Sequence, residues 1–239
     1  MPISLRRNIP ITKHSEEYDV LFYGDIQNGR RKRYLEQISA RFKTKVISNL
    51  FGDELTQEIK KAKVVINIHY YDNALLETTR IYECLSQGAI VISEESSDIS
   101  EHKNTLGNII DFVPINDIDA MIKMIDARIK DPVFQDIRRR TIRELSITGT
   151  NDFEFYFSRF LLANDIISYD EFYSHAAENI QLTRDFLCLG LPETIERKKS
   201  FDADNRFGIQ YCPGLRHNIG WIGCGLSYKF LLQRARDQG

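Results

Sequence analysis

The chain has 239 residues and a formal net charge of −2, and this balance argues against a protein that binds nucleic acid through a basic surface. Its four cysteines form no CxxC pair and its five histidines show no HxH or HExxH spacing, which argues against a zinc site. No signal peptide and no apolar run long enough to span a bilayer is evident, so we expect a cytoplasmic protein without a transmembrane segment.

The first strong pattern follows a lead-in, residues 1–18, that shows no clear periodicity. YDVLFYG predicts a strand that ends at Gly24, and RRKRYLEQISARF predicts a helix after a short loop. The first turn of this helix is basic and contains Arg30, Arg31, Lys32 and Arg33. Because the helix dipole favours acids there, either the end is simply solvated or an anion such as a phosphate sits at this amino terminus. The loop is neither GxGxxG nor a Walker A loop, which disfavours ATP or NAD binding by those motifs.

The central part of the chain predicts a right-handed βαβ unit. KVISN predicts the second strand and DELTQEIKKA the helix that follows it. VVINI and AIVIS predict two further buried strands, and LLETTRIYECLSQG between them is long enough for a three-turn helix that ends at Gly88. The loop HYYDNALLE then lies at the carboxyl end of a strand, where an open α/β sheet binds ligands.

Charged residues at this strand end have two interpretations. Glu77, Arg80 and Glu83 are spaced three apart, which is typical of an ion-pair ladder on a helix surface. Alternatively, a carboxylate among them accepts hydrogen bonds from a ribose or sugar hydroxyl, and the position of Glu77 at the start of the helix favours this. His69, just after the third strand, is a candidate general base, although a lone histidine at a strand end is more often structural.

The predicted elements between residues 108 and 145 complete an α/β fold. NIIDFVP predicts a fifth strand that Pro114 ends, Asp117 is the predicted cap of the helix IDAMIKMIDARIKD, and Pro132 begins another helix. Alternating strands and helices predict a doubly wound parallel sheet of the Rossmann-like type. The predicted neighbouring parallel strands are Val20–Tyr23, Lys45–Ser48, Val64–Ile68, Ile90–Ser93 and Ile109–Val113.

The sequence pattern changes after residue 145, and we divide the chain into four parts. These are the lead-in 1–18, a Rossmann-like domain 19–145, a helical connector 146–182 and a second, partial α/β module 183–239. The connector carries aromatic residues at nearly helical spacing, which predicts an amphipathic helix that packs on the sheet or links two modules. In the last part, RDFLCLGLPETIERKKSF predicts a strand, a turn and a basic helix, and four close glycines precede a final helix.

Residues 19–145 resemble the carboxyl-terminal domain of GT-B glycosyltransferases. ECLSQGAIVISE is similar to that family's E-A-M-A-x-G-x-P-V-V segment, and ELTQEIKKAKVVINIHY is similar to the stretch before it. The resemblance implies that Glu83 holds the ribose of a nucleotide-sugar and that Arg30 and Arg31 clamp its diphosphate. Retaining members carry a second glutamate at the position of Leu75, and Glu77 is the nearby acid that would take its place. The candidate nucleotide-sugar-binding residues are Gly24, Asn28, Arg30, Arg31, Arg80 and Glu83.

Residues 183–239 resemble the start of a GT-A-like module in the family of lipopolysaccharide and collagen galactosyltransferases. The matching positions are Arg197, Phe201, Gly220, Gly223, Cys224, Leu226 and Ser227. Tyr228 stands where that family usually has histidine. The acidic metal motif of the family follows this segment, whereas the D-x-D of Asp202 and Asp204 precedes it, so we interpret these two acids as part of a polar loop.

Together the resemblances imply a hexosyltransferase-type glycosyltransferase, or a fragment of one, in lipopolysaccharide or glycan biosynthesis. Its donor would be a nucleotide-diphosphate sugar, its acceptor a saccharide or protein hydroxyl, and no cofactor would be required. The alternative is a non-catalytic nucleotide- or sugar-binding or interaction module, because a GT-B site lies between two Rossmann domains and one is visible. A receiver-like domain would need paired acids after the first strand, which Asp25 alone does not supply.

We expect no metal-dependent transfer through residues 183–239. A divalent ion on a diphosphate needs carboxylate ligands, and we interpret Asp202 and Asp204 as part of a polar loop and not as such ligands. The measurement is nucleotide-sugar hydrolysis by this chain with and without Mn²⁺, and the two rates should be equal. Manganese-dependent turnover that disappears in Asp202→Ala or Asp204→Ala would show that these acids hold a metal.

Overall fold

The computed structural model describes residues 5, 9, 14–148 and 152–239. The chain forms two compact units, a first unit within Leu5–Gly149 and a second unit within Thr150–Gly239. No helix of the described ranges is both long enough and apolar enough to cross a membrane.

The first unit is built on five parallel strands. They are β1 Tyr18–Tyr23, β2 Thr44–Ile47, β3 Ala62–Asn67, β4 Ile90–Glu94 and β5 Ile110–Val113. Their order across the sheet is β2-β1-β3-β4-β5, and every neighbouring pair is parallel. This confirms the predicted parallel sheet. The chain runs from β1 outward to β2 and then returns to the other side of β1, so a crevice forms at the carboxyl ends of the strands where the order reverses.

Six helices among the described residues of the first unit connect and cover the strands. They are α1 Gly29–Ser39, α2 Gly52–Ile59, α3 Thr78–Leu85, α4 Ile99–Leu106, α5 Ile118–Ile129 and α6 Pro132–Thr148. Two predicted helix starts are confirmed, because Asp117 accepts a 2.8 Å hydrogen bond from the Ala120 N–H and Pro132 is the first residue of α6. The helix α3 is shorter than predicted. It begins at Thr78, after Glu77 at the N-cap, and the Leu76 N–H before it donates to the Asp98 carboxylate at 3.0 Å.

Each face of the sheet packs against its own set of helices. On one face Val20 and Phe22 of β1 lie in a core with α1 and α5, and on the other face Leu21 and Tyr23 lie in a core with α2, α3 and α4. Strands covered on both sides read as continuous apolar runs, which is why the sequence shows them so clearly. The polar ends of the strands are therefore the part of the sheet at which side chains can contact a ligand.

The second unit contains two parallel strands and four α-helices among its described residues. They are α7 Asp152–Ala163, α8 Tyr169–Ala176, β6 Leu187–Gly190, α9 Ile195–Asp204, β7 Gln210–Pro213 and α10 Gly220–Gln238. A short 3-10 helix, Ala177–Asn179, follows α8. The strands β6 and β7 pair in parallel. Phe155, Phe172 and Phe230 form the centre of its core, so the helices α7 and α8, predicted as a connector, supply much of the interior of this unit.

Two local predictions in the second unit are wrong. Asp202 and Asp204 lie in the last turn of α9 rather than in a loop, because Lys198 pairs with Asp202 one helical turn away. The glycine-rich segment is helical from Gly220 onward instead of forming a turn before the helix. Gly223 allows this, since a Cβ there would lie 3.1 Å from the His217 nitrogen and 3.2 Å from the Leu215 oxygen.

Two glycines of α10 test this packing as a matched pair. Gly225→Ala should raise the free energy of unfolding by about 0.5–1 kcal/mol, because alanine favours the helix and no atom lies within 4 Å of its Cβ. Gly223→Ala should lower the free energy of unfolding, since the backbone of residues 215–217 must move. Urea unfolding of both variants is the measurement. Equal effects of the two substitutions would contradict the close approach at Gly223.

Candidate functional site

A buried carboxylate organises the carboxyl end of the sheet. Glu94, the last residue of β4, is fully buried. Arg30 donates to its two oxygens at 2.8 and 2.5 Å, and the Tyr34 hydroxyl donates at 2.7 Å. The backbone N–H groups of His69 and Asn116 add bonds of 2.9 and 3.1 Å. Burial alone would raise the pKa of Glu94, but the hydrogen bonds from Arg30 and Tyr34 outweigh it and hold the pKa below its usual value.

A second carboxylate joins two arginines beside this cluster. Glu77 lies 2.9 Å from Arg31 and 2.6 Å from Arg80, and Arg80 also donates to Asn67 at 2.8 Å. Burial lowers the pKa of Arg31, Glu77 opposes this, and the charge of Arg80 lowers it further. Two guanidinium groups thus share one carboxylate at the edge of the crevice.

An open cleft of about 1000 Å³ lies over the carboxyl ends of β1 and β2. Its charged lining residues are Asp25, Glu77, Arg80 and Glu83, and Gly24 and Asn49 line it with positive φ angles. The volume is at the upper end of the roughly 300–1,000 Å³ that small-molecule sites occupy. This cleft is the best candidate functional site of the first unit.

Four of the predicted site residues line this cleft. Glu83 accepts a 2.9 Å hydrogen bond from the Tyr23 hydroxyl through Oε2. Arg80 lies against the backbone at Gly24, where a Cβ would be 2.9 Å from Nη2 and where φ is +136°. A side chain at position 24 would therefore displace this guanidinium, and the left-handed backbone conformation there favours glycine. Glu77 lies beside Arg80 at the start of α3.

Arg30 and Arg31, in the first turn of α1, contact the carboxylates of Glu94 and Glu77 and do not line the cleft. Asn28 caps the helix, since its Oδ1 accepts from the N–H groups of Arg30 and Arg31 at 2.9 and 3.2 Å. The Arg30 guanidinium is held by Glu94 and also by Asp72, at 2.9 Å. Arg30 and Arg31 are thus not open to an anion in this arrangement, because Glu94, Asp72 and Glu77 occupy their guanidinium groups. Lys32 and Arg33 of the same turn are exposed to solvent.

His69 is buried with no exposed surface. Its Nε2 lies 3.1 Å from the Glu94 carbonyl oxygen, so Nε2 carries the hydrogen, and Nδ1 has no hydrogen-bond partner within the described part of the chain. Burial lowers the pKa of His69, although the Glu94 charge opposes this. The ring has no route to a substrate hydroxyl in the cleft, and its role as a general base stays a prediction.

Sequence reasoning missed Glu94, Asn67 and Phe51. An acid directly after the apolar run AIVIS is a readable pattern, because a charge at the end of a doubly covered strand needs a buried partner. Asn67 and Phe51 offered no comparable pattern.

No group of three or more histidine, cysteine, aspartate or glutamate side chains among the described residues is arranged to hold a metal ion.

Comparisons with known proteins give little further guidance. No protein-family model matches the chain, and no curated protein matches it. Nineteen chains of solved structures match, among them the crystal structure of TarM. That match has 10% sequence identity and a TM-score of 0.45, and it covers 62% of this chain and 35% of TarM. The chain thus spans about a third of the length of TarM.

Removing the charge of Glu94 tests the first cluster. Glu94→Gln should lower the free energy of unfolding by about 3–5 kcal/mol, because it leaves Arg30 largely buried without its main counter-ion. Asp72→Asn is the control on the same arginine, and with a side chain 66% exposed it should cost less than about 1 kcal/mol. Urea unfolding measures both, and similar costs for the two variants would contradict the central place of Glu94.

The buried His69 predicts a pH dependence of stability. Its folded-state pKa is lowered, so below the ordinary value near 6.5 the unfolded state binds more protons. Stability should therefore be fully present above about pH 6.5 and should fall as the pH drops toward the folded-state pKa. The free energy of unfolding, measured between pH 7.5 and 5.5, should fall less steeply in His69→Asn than in the wild type. His175→Asn, at an exposed site, serves as the control, and an unchanged slope in His69→Asn would refute the prediction.

Proposed function

We propose that the first unit binds a nucleotide-sugar in the cleft at the carboxyl ends of β1 and β2, and that the chain is a glycosyltransferase or part of one. The observation that carries the proposal is the placement of Arg80 and Glu83. Three residues apart on α3, they present a guanidinium and a carboxylate to one cleft at the edge where sheets of this type bind ligands. These two groups match a phosphate and a ribose or sugar hydroxyl.

Glu83 would bind the ribose. Its Oε2 accepts from the Tyr23 hydroxyl, which fixes the carboxylate at the cleft wall. No hydrogen bond to Oε1 is present within the described ranges, so this oxygen remains to accept from a ribose hydroxyl. A buried tyrosine behind a carboxylate is a rigid support, since the Tyr23 ring lies in the core below α3.

Arg80 would bind the diphosphate. Its Nη1 is used by Glu77 and Asn67, whereas Nη2 lies at the backbone of Gly24 on the cleft side. When the sugar is transferred, negative charge develops on the departing diphosphate, and a preorganised guanidinium stabilises that charge. Arg31 would support Arg80 indirectly by sharing Glu77, and Arg30 would act only as part of the buried cluster.

A second candidate function is nucleotide or sugar binding without catalysis. It is favoured by the state of the two candidate catalytic residues, because Glu77 already holds two arginines and His69 has no exposed surface. The hexose, the saccharide or protein acceptor and the lipopolysaccharide or glycan pathway belong to the first proposal and rest on the two family resemblances, of residues 19–145 and of residues 183–239. The acceptor reaction also needs a second surface, as in GT-B enzymes, whose site lies between two domains.

Titration calorimetry with uridine, guanosine and adenosine diphosphates tests the binding site. Glu83→Gln and Arg80→Gln should each weaken the binding of the preferred nucleotide by roughly 10- to 150-fold, the loss of one charge-assisted contact of about 1.5–3 kcal/mol. Lys32→Gln is the control, a cationic side chain 70% exposed on α1 outside the cleft. Absence of nucleotide binding, or equal affinities in all variants, would refute the site.

A separate assay distinguishes the two functions once binding is established. Release of nucleoside diphosphate from its hexose conjugates, followed with and without saccharide acceptors, should be detectable if the chain is a transferase. Binding without turnover in every combination would favour the non-catalytic module.

A further inference from the structure

The second unit contains a polar cavity of its own, with a volume of about 560 Å³. It lies between α7 and the loops that follow β6 and β7. The lining residues used below are Tyr156, Arg159, Phe160, Glu193, Arg216 and Asn218. None of them belongs to the cleft of the first unit.

A buried ion pair forms one wall of this cavity. Arg159 is 5% exposed and donates from Nε to the Gly214 carbonyl oxygen at 2.6 Å. Its Nη1 and Nη2 contact the two oxygens of Glu193, the second at 3.0 Å. Both oxygens of Glu193 are therefore matched by one guanidinium in the two-point geometry that arginine forms with carboxylates. This wall is rigid and already neutral.

Arg216 brings a second positive charge to the same cavity. Its ion pair with Glu193 is long, 3.9 Å, and that carboxylate is already engaged by Arg159. The Arg216 side chain is 58% exposed. Two arginines and one glutamate thus leave one uncompensated positive charge among these lining residues, and an arginine fork is suited to a carboxylate or a phosphate.

An aromatic surface faces the same space. Phe160 is 53% exposed although it lines a cavity, and Tyr156 lies one turn before it on α7. An exposed ring beside polar groups offers a flat apolar surface on which the CH face of a sugar can lie. The exposed Asn218 adds an amide that can both donate to and accept from hydroxyl groups.

We propose that this cavity binds an anionic saccharide, with the acidic group on Arg216 and one face of the sugar ring against Phe160. The ring hydroxyls would be within the reach of the Asn218 amide at the rim. A neutral sugar would keep the aromatic and amide contacts but leave the Arg216 charge without a counter-ion. A simple anion would use Arg216 alone.

Saturation-transfer NMR and calorimetry on the full chain test this with a matched pair of ligands, D-galacturonate and D-galactose, which differ only at C6, a carboxylate in the first and a neutral hydroxymethyl group in the second. Galacturonate should bind at least about tenfold more tightly, the lower end of the effect of a charged hydrogen bond. Arg216→Gln should abolish this preference, and Phe160→Ser should weaken the binding of both sugars. Arg206→Gln removes an exposed arginine of the same unit outside the cavity and should change nothing.

Several outcomes would overturn the proposal. Equal binding of the two sugars, no binding of either, or full preference for the acid in Arg216→Gln would each refute the role of Arg216. If inorganic phosphate competes as well as galacturonate and Phe160→Ser has no effect, the cavity is a plain anion site. Glu83→Gln, in the first unit, should leave galacturonate binding intact, so this result is independent of nucleotide binding in the cleft.

Discussion

The burial of arginine charges at the carboxyl end of the sheet is the constraint on which the rest of the first unit depends. Basic residues in the first turn of α1 oppose the helix dipole, and burying them would be costly without close counter-ions. Glu94 from β4 and Glu77 from the start of α3 supply these charges. The helix α1 is thereby fixed to the end of β4 and to the start of α3, and the edge of the sheet becomes a rigid surface.

This rigidity explains how the cleft can present charged groups in fixed positions. Glu77 and Asn67 contact Nη1 of Arg80, and its Nη2 lies against the backbone of Gly24. Glu83 accepts a hydrogen bond from the Tyr23 hydroxyl. Preorganised donors and acceptors bind a ligand without the cost of ordering flexible side chains. The same clusters explain why Arg30 and His69 do not reach the cleft, since their polar atoms face the buried Glu94.

The sequence predicted what depends on local pattern and missed what depends on distant partners. Apolar runs located the five parallel strands, and the Asp117 cap and Pro132 located two helix starts, because each of these follows from neighbouring residues. The three-residue spacing of Glu77, Arg80 and Glu83 is typical of an ion-pair ladder, and of that ladder the Glu77–Arg80 pair is present, whereas Glu83 accepts a hydrogen bond from Tyr23. The pairing of Arg30 with Glu94 joins residues 64 positions apart, and no local pattern encodes this contact.

We expect the cleft to hold a nucleoside diphosphate between Arg80 and Glu83. A crystal structure of the chain soaked with the nucleotide that binds best tests this directly. Diphosphate oxygens should lie within hydrogen-bond distance of Arg80 Nη2 and a ribose hydroxyl on Glu83 Oε1, with the Arg30–Glu94 pair intact. A nucleotide at the amino terminus of α1, with Arg30 released from Glu94 to hold its phosphates, would contradict it.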